Sequence, residues 1–537
     1  MSDMHPSWFD TTRPTQQDAV LPFLLERNAR NAATKVCCKF EDGTSWSYGE
    51  TLALTKKTAA YLSSIGIERG DLVITWLPNG PEMLRSWFAL NYLGAVFVPL
   101  NLDYRGRILE HVIRETQSRI MLAHPQLVER LSDIDLSNLE KVLVVGGENG
   151  WASDSIESSA TDLDFNTEMD RPADVNVWDP QMVIFTSGTT GPSKGVLCPY
   201  LQMVTVGRGS YGYMNEDDCI LIDLPMFHVG GVSPAMAAIT NCASMAVYDG
   251  FSTRDFWQRV KDSNATTTSG LIGSMAAFLS KAPEQLNEKN NSLRMLTCML
   301  NEQAIQVAKR YGFSLCSGFN MSELSVPLVT EVDCGVAGSC GKPRSGCECR
   351  VVDQHDYECA PGEVGELIVR TDQPWETSLG YLHRPEATAA AWRNGWFHTG
   401  DLVRKDEEGN FFFVDRLKDA VRRRGENISS LEVESDVLGY DAVAEAAVVG
   451  VPSELGDEDI LVAVVAKPGR SIDARKLIEF LIPKMPHYMV PRFVRIMDEL
   501  PKTATNKLMK FAIRDDGITG DTWDAEAAGI HLRKTRL

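Results

Sequence analysis

Apolar and polar residues alternate from about residue 15 to residue 410 in stretches typical of helices followed by short strands. Residues 51–66 (TLALTKKTAAYLSSIG) read as a helix, and residues 70–78 (GDLVITWLP) read as the strand after it. The same order recurs in residues 24–40 (LLERNARNAATKVCCKF) and 81–101 (PEMLRSWFALNYLGAVFVPLN). Helices that alternate with strands predict an α/β architecture of packed layers.

The pattern changes after residues 409–419 (GNFFFVDRLKD), where a charged segment follows a strand. Beyond it, residues 443–452 and 460–469 read as strands and residues 473–485 as a helix. These elements predict a small α+β unit of about 120 residues, a common domain size. The sequence therefore predicts a large domain of layered α/β subdomains, residues 1–415, and a small domain, residues 416–537.

Length and composition indicate a globular protein with more than one domain. The chain has 537 residues, of which 44% are hydrophobic and 23% charged; such a length predicts about two to four domains. The formal net charge of −20 argues against nonspecific nucleic-acid binding, which needs a basic surface. An anionic ligand must therefore meet a local basic site.

The start of the chain and its apolar runs predict a cytoplasmic enzyme. The first residues (MSDMHPSWFD) lack the basic region and apolar run of a signal peptide. No apolar run approaches the roughly 18 residues needed to span a membrane, so no integral membrane segment is expected. The 12 cysteines include no CxxC pair and no histidine at zinc-finger spacing, which predicts reduced, unpaired thiols.

A glycine-rich loop at residues 186–195 (TSGTTGPSKG) lies between two apolar, β-branched stretches. Its backbone N–H groups and hydroxyls can form a nest for an anion, and a lysine ammonium adds charge for phosphate oxygens. A Walker loop would have Gly at Ser193, Ser or Thr at Gly195, and a helix after it, whereas the segment GVLC reads as a strand. The predicted phosphate contacts are Thr186, Ser187, Gly188, Thr189, Thr190, Gly191 and Lys194.

This loop resembles the phosphate loop of adenylate-forming, AMP-binding enzymes, the superfamily of acyl-CoA synthetases, peptide-synthetase adenylation domains and beetle luciferases. The match is close at residues 187–191 and 194–195. Residues 93–113 (LGAVFVPLNLDYRGRILEHVI) are similar to a helix–strand–helix of the same superfamily, and further motifs follow in order. The resemblance extends from about residue 20 to residue 515.

Residues 318–323 (GFNMSE) resemble the superfamily segment G-Y-G-x-T-E. The resemblance implies that Phe319 lies on or beside adenine, Ser322 contacts phosphate and Glu323 holds Mg²⁺, which prefers carboxylate and phosphate oxygens. Asn320, followed by Met321 in the same cofactor-binding segment, replaces a usual glycine. Asparagine tolerates the left-handed backbone that glycine adopts. Ser322 replaces threonine and keeps the hydroxyl.

Residues 394–402 (NGWFHTGDL) resemble a second signature, about 80 residues after Glu323. The resemblance implies that Asp401 binds both ribose hydroxyls, which a carboxylate can accept together. It also implies that Arg416, at the start of the next motif, reaches the ribose.

Residues 414–434 (VDRLKDAVRRRGENISSLEVE) resemble the hinge and the entry to the small domain. The resemblance implies that the small domain is mobile, with Lys418 at the hinge and Gly425 where the chain approaches pantetheine closely. Arg424 stands where a second glycine is frequent, and RRRGENIS is most similar to bacterial carnitine- and crotonobetaine-CoA ligases and their relatives. The five basic residues between Arg416 and Arg424 predict a site for the phosphates of CoA.

Residues 500–510 (LPKTATNKLMK) resemble the motif of the catalytic lysine. The resemblance assigns that role to Lys507, with Asn506 in place of a usual glycine; Lys502 and Lys510 lie nearby.

Together these motifs imply an AMP-forming acid–thiol ligase, an acyl-CoA synthetase. ATP, Mg²⁺ and coenzyme A would be its cofactors, and a small carboxylic acid its substrate. Lys507, Glu323 and Lys194 would be the catalytic groups. His228 aligns with a position that often gates the acyl pocket, although a lone histidine is as often structural. No single charged residue in the sequence identifies the head group of the substrate. A homodimer is an open possibility.

Four alternatives remain at this point. An adenylation enzyme could transfer the acyl group to an acceptor other than CoA, and a luciferase-like oxidation is not excluded by motifs. A phosphotransferase would release ADP instead of AMP. A catalytically weak adenylate-binding homologue is the fourth, because Asn320, Arg424 and Asn506 replace usual glycines.

Overall fold

The structure is a computed structural model and describes residues 13–186, 193–270, 276, 279–280, 289–416, 420–424, 426–454, 456–501 and 508–532. Two mostly parallel sheets form its amino-terminal part. The larger has seven strands in the order Glu157–Thr161, Lys141–Val145, Ile120–Ala123, Leu72–Trp76, Val96–Pro99, Pro180–Thr186 and Lys194–Pro199. The smaller has five strands in the order Thr267–Thr268, Cys219–Ile222, Ser244–Val247, Val36–Phe40 and Ser45–Ser47.

Each of these sheets is parallel except at one edge, where the last strand pairs antiparallel with its neighbour. Lys194–Pro199 is such an edge strand, so the segment after the glycine-rich loop is a strand, as the sequence predicts. Met295–Thr297 and Ser314–Cys316 form a separate parallel pair.

Helices accompany these sheets in the large amino-terminal part. They are Gln16–Ala19, Leu21–Asn31, Tyr48–Ser64, Pro81–Leu93, Gly106–Thr116, Tyr200–Ser210, Val229–Thr240, Phe256–Ser263, Glu302–Tyr311 and Pro385–Ala391, with a 3₁₀ turn at Val128–Leu131. The largest apolar cluster lies between helices and sheets, and in it the ring of Trp87 stacks on Phe97 with centroids 5.6 Å apart. The predicted α/β layers are confirmed.

The helix predicted at residues 51–66 begins three residues earlier, at Tyr48, and ends at Ser64. Ser47 explains the earlier start. Its hydroxyl accepts the N–H of Glu50 at 3.2 Å, and the Glu50 carboxylate accepts the N–H of Ser47 at 2.7 Å. This capping box satisfies two of the N–H groups that a helix start leaves without partners.

An antiparallel sheet of eight short strands follows in the chain. Its order is Gly318–Phe319, Leu328–Val329, Ser339–Pro343, Phe411–Arg416, Trp396–Lys405, Val364–Thr371 and Cys347–Val352, with Trp392–Arg393 beside Trp396–Lys405. Arg416 ends the last of these strands along the chain.

The carboxy-terminal part is built on a sheet of four strands, Val443–Pro452, Glu458–Ala466, Phe493–Met497 and Trp523–Asp524. A hairpin of Ala420–Arg423 and Glu426–Ser429 precedes it, and its helices are Ser430–Leu438, Ala474–Leu481 and Lys510–Asp516. The antiparallel sheet ends at Arg416 and the hairpin begins at Ala420; the domain boundary after residue 415 stays a prediction.

The two faces of this sheet carry different elements. Val448 and Val462 pack on one face with Val421 and Ile428 of the hairpin. The alternate residues pack on the other face with Leu500, Leu508 and Ile513, as expected because successive strand side chains point to opposite faces.

In the described ranges, no helix combines the length and the apolar character needed to cross a membrane.

Candidate functional site

A cavity of about 560 Å³ lies where the two parallel sheets, the antiparallel sheet and the carboxy-terminal hairpin meet. Thr186 ends one parallel strand and Asp223 follows another, so the cavity opens at the carboxyl ends of strands, the usual ligand edge of α/β sheets. The predicted residues that line it are Thr186, Lys194, His228, Asn320, Met321, Ser322, Glu323 and Asp401.

The two ends of the glycine-rich loop are held together by strand pairing. Thr186 and Lys194 lie opposite each other in the antiparallel edge pair. The ammonium of Lys194 lies 5.0 Å from the ring centroid of Tyr381, within the range of a cation–π contact. The predicted contacts Ser187, Gly188, Thr189, Thr190 and Gly191 lie outside the described residues.

Glu323 is buried beside the same tyrosine. Its side-chain Oε1 accepts a hydrogen bond from the Tyr381 hydroxyl at 2.8 Å, and the residue is 7% exposed. Burial and the neighbouring carboxylate raise the pKa of Tyr381 well above its ordinary value, so the phenol stays a donor. Lys194, Tyr381 and Glu323 thus form one cluster on the cavity wall.

Sequence reasoning missed Tyr381. Its backbone forms an isolated bridge with Val196, just after Lys194, which places it at the loop. No spacing rule links residues so far apart in sequence, and a single tyrosine in SLGYLHRP carries no pattern of its own.

The residues present suit a magnesium ion bound with nucleotide phosphates. Within the described ranges, no group of three or more His, Cys, Asp and Glu residues is placed to hold a metal by itself. Mg²⁺ is commonly bound through one or two carboxylates together with substrate phosphates. The single buried carboxylate of Glu323 on the cavity wall fits that mode.

Asn320, Met321 and Ser322 lie in the cavity wall next to Glu323. Asn320 is absent from the residues with a left-handed backbone, so this position does not require glycine. Its Oδ1 is buried without a hydrogen-bond partner in the described chain. Phe319 is not among the residues that line the cavity; it packs in the apolar cluster of the antiparallel sheet and is 8% exposed. Its contact with adenine stays a prediction.

The two predicted ribose contacts lie on neighbouring strands. Asp401 and Arg416 face each other across an antiparallel pair. Asp401 is 4% exposed, and its N–H is held by the hydroxyl of Thr399 at 3.1 Å. The strand register therefore brings together two residues that the sequence assigns to one sugar.

The carboxy-terminal part closes one side of the cavity, and polar contacts between described residues join it to the large part. Ser193 donates its N–H and its hydroxyl to Oε1 of Glu432 at 2.7 and 2.8 Å. Nε2 of His228 lies 2.7 Å from Oε2 of Glu426. Two more pairs join Asn101 to Tyr488 at 2.9 Å and Asp103 to His487 at 3.5 Å. Burial raises the pKa of Glu432 although the hydrogen bonds from Ser193 lower it.

The basic run before Gly425 divides into two groups. Arg422 and Arg424 line the cavity. Arg423 points into the small domain instead, where its Nε lies 2.8 Å from Asp459 and its Nη1 bonds to the carbonyl of Val490. The prediction of a CoA phosphate site therefore concerns Arg422 and Arg424 among the described residues, and Arg423 has a structural contact.

The backbone conformation of Arg424 explains why glycine is frequent at this position in the superfamily. Its φ is +53°, in the left-handed region that side chains disfavour. Its N–H donates to Asp457 at 2.6 Å, which fixes the turn. Lys418, Gly425 and Lys507 lie outside the described residues, so their roles stay predictions.

Asp223 is a second residue that sequence reasoning missed. It lines the cavity, is 3% exposed, and accepts a hydrogen bond from the Ser269 hydroxyl at 3.1 Å. Burial raises its pKa to about 6, although Ser269 and the charge of Arg259 lower it. One acidic residue in the apolar run CILIDLPMF was the available signal.

Fold and site define a nucleotide-binding enzyme of several α/β layers with a small second domain. The model of the family described as AMP-binding enzyme matches residues 25–382 of this chain. The model of the AMP-binding enzyme C-terminal domain matches residues 432–507. The chain belongs to the AMP-binding enzyme family. The predicted family is confirmed.

Curated relatives and solved structures agree with this assignment. The chain is 29% identical to a crotonobetaine/carnitine–CoA ligase of Citrobacter koseri, over 87% of this chain and 92% of the relative. The o-succinylbenzoate CoA synthetase of Bacillus subtilis superimposes with a TM-score of 0.79 at 23% identity, over 94% and 99% of the two chains. The amide bond synthetase McbA of Marinactinospora thermotolerans gives 0.77 at 23% identity, over 91% and 99%. These structures establish the fold, and the predicted fold class is confirmed.

Proposed function

We propose that the protein is an ATP-dependent, AMP-forming acyl-CoA ligase. A carboxylic acid and ATP would give an acyl-adenylate and pyrophosphate, and the thiol of CoA would then displace AMP. The observation that carries this proposal is the convergence of separate sequence motifs on one cavity: Thr186, Lys194, Glu323 and Asp401 all line it. Family membership and the names of the curated relatives support the same reaction class.

In the first step the substrate carboxylate attacks the α-phosphorus of ATP. It is ionised near neutral pH and needs no base. Negative charge grows on the α-phosphate oxygens, and fixed positive groups in a closed site stabilise it. The position of Lys194 on the cavity wall supports this role for its ammonium. The register of Asp401 with Arg416 supports a ribose contact for these two residues. Lys507 would add a second ammonium.

Glu323 would hold Mg²⁺, which would neutralise phosphate charge. Tyr381 contributes by orienting the carboxylate through its hydroxyl, 2.8 Å from Oε1. The hydrogen bond fixes one oxygen in place, since a phenol of raised pKa remains protonated.

In the second step, pantetheine must reach the acyl-adenylate. The hairpin that contains Arg422 and Arg424 faces the cavity, whereas Leu500 and Leu508 pack on the opposite face of the small domain's sheet. We propose that the small domain turns about Lys418 between the steps. One orientation would present Lys507 for adenylation, and the other the hairpin with Gly425 for thioester formation. The contacts from Ser193 to Glu432 and from His228 to Glu426 support the second orientation.

The test is product analysis with purified protein, ATP and Mg²⁺ over a broad panel of carboxylic acids, with and without CoA. Without CoA we expect pyrophosphate and an acyl-adenylate with at least one acid. With CoA we expect AMP and pyrophosphate in equal amounts, together with an acyl-CoA thioester. ADP as the product would indicate a phosphotransferase. Adenylation without any thioester would indicate another acceptor, and absence of AMP with every acid would contradict the proposal. The cytoplasmic location and the homodimer stay predictions.

A further inference from the structure

Asp223 is a buried carboxylate in the cavity wall that neither proposed step uses. It directly follows the strand Cys219–Ile222 of the five-stranded sheet. The proposed phosphate and ribose contacts come from the other two sheets, at Thr186, Lys194 and Asp401. Asp223 therefore approaches the cavity from a different side, together with Leu224 and His228, which also line it.

The local contacts of Asp223 fix the carboxylate without neutralising it. Ser269 donates its hydroxyl to Oδ1 at 3.1 Å, and its oxygen accepts the Asp223 N–H at 3.4 Å. In the described chain no other residue donates a hydrogen bond to Oδ2, and no Lys, Arg or His forms an ion pair with this carboxylate. Oδ2 thus remains as an acceptor for a ligand.

The cation whose charge acts on Asp223 is Arg259, and its guanidinium is occupied elsewhere. Its guanidinium bonds to Glu41 at 2.6 Å and to the carbonyl of Gly250, and it lies 4.6 Å from the ring centroid of Tyr248. A buried carboxylate without a close counterion is unfavourable. A positively charged group on the ligand would remove that cost, so the site favours one ligand chemistry.

We propose that Asp223 binds a protonated amino group of the acid substrate, remote from the carboxylate that is activated. The chain would then prefer amino-substituted acids over plain aliphatic or aromatic acids of the same shape. This inference rests on the proposed adenylation. It names the substrate class through one ammonium–carboxylate contact on the acyl side of the cavity.

The experiment measures acid-dependent ATP–pyrophosphate exchange by the full-length enzyme. The probes are ω-aminoalkanoates, ω-hydroxyalkanoates and n-alkanoates matched in the number of non-hydrogen atoms, over a range of lengths, and aminomethylbenzoate against ethylbenzoate. We expect an amino acid to exceed its apolar match in kcat/KM by at least about tenfold, since a hydrogen bond between charged groups contributes about 1.5–3 kcal/mol. The hydroxy acid should lie between them.

Variants assign the preference to Asp223. Asp223→Asn keeps the shape and removes the charge, so the preference for the amino acid should fall to near unity. Asp223→Leu should favour the apolar acid. Asp217→Asn is the matched control, because it makes the same change on an exposed residue nearby and should leave the preference intact.

The outcomes separate this inference from the proposed function. Exchange with apolar acids equal to that with amino acids in the wild-type enzyme would overturn the role of Asp223 and leave the ligase reaction standing. If Asp223→Asn changed only the KM for CoA, the role of Asp223 in binding the acid would also be overturned, since Asp223 would then contact pantetheine. Exchange with no acid at all would contradict the ligase reaction itself. The wild-type comparison decides the matter even if a variant fails to fold.

Discussion

Glu323 and Lys194 come from distant parts of the chain and meet at Tyr381. The sequence assigned roles to the first two because each lies in a motif, and both line the cavity. Tyr381 and Asp223 could not be found in that way. Their importance arises from long-range packing, the bridge from Tyr381 to Val196 and the hydrogen bond from Ser269 to Asp223. Residues within motifs could be predicted, whereas the partners that orient them could not.

Replacing Glu323 by Gln should lower pyrophosphate release by about 100-fold, because the site loses a carboxylate charge for Mg²⁺ beside developing negative charge. The dependence on Mg²⁺ should shift to higher concentration. The measurement is a Mg²⁺ titration of pyrophosphate release. Tyr381→Phe keeps the carboxylate and should lose less activity. Glu363→Gln, at an exposed position, is the control; equal activity of E323Q and E363Q would contradict the role of Glu323.

The raised pKa of Asp223 gives the proposed selectivity a pH dependence. Burial raises that pKa from 3.8 to about 6, so the ionised form that attracts an ammonium is lost below that range. The kcat/KM for an amino acid, relative to its apolar match, should therefore rise with pH through about 6 and then level off. The facing groups are the guanidinium of Arg259 and the buried phenol of Tyr211, whose pKa is raised well above its ordinary value by burial. Asp223→Asn should flatten the profile; a flat wild-type profile would argue against the assignment.

The same shift has a consequence for stability. A carboxyl whose pKa is higher in the folded chain favours folding at low pH, and this contribution is lost as pH rises from about 3.8 to about 6. Asp223→Asn removes that loss, so its stability relative to wild type should increase over this window in thermal unfolding.

At the scale of elements, the hydrophobic pattern was a good guide. The strand predicted at residues 443–452 is observed at Val443–Pro452, and the helix predicted at residues 473–485 at Ala474–Leu481. Such periodicity is local, so sequence shows it directly. Strand order is not local: nothing in the pattern of residues 394–416 fixes the register that places Asp401 opposite Arg416.

Arg424 follows the first strand of the hairpin Ala420–Arg423 and Glu426–Ser429, and its backbone is left-handed. This conformation is unfavourable for a residue with a side chain. Arg424→Gly should therefore be more stable than Arg424→Ala by about 1 kcal/mol. Both variants lose the guanidinium at the cavity and should raise the KM for CoA to a similar extent. Urea unfolding and steady-state kinetics measure the two effects. Equal stability of R424G and R424A would show that the backbone at this turn is not strained.

At the scale of the whole molecule, the proposed rotation separates the two half-reactions. Lys507→Ala should reduce adenylation by about 100-fold yet leave thioester formation from supplied acyl-AMP near the wild-type rate. Lys418→Pro should do the reverse, because a fixed backbone dihedral hinders the rotation. Each half-reaction is measured separately by pyrophosphate release and by thioester formation.

Lys510→Ala is the control for the lysine variant. Lys510 lies 2.8 Å from Glu434 and bonds to Ser430 at 2.7 Å inside the small domain. Its removal should lower stability and affect both half-reactions alike. Equal loss of both half-reactions in K507A would contradict the assigned role of Lys507.

The contact between Ser193 and Glu432 has a consequence for how the enzyme responds to the concentration of ATP. The carboxylate of Glu432 holds the N–H and the hydroxyl at the end of the loop, donors that a triphosphate would also seek. ATP and the small domain in this orientation then compete for the same donors. High concentrations of ATP should consequently inhibit thioester release, and pyrophosphate should have the same effect.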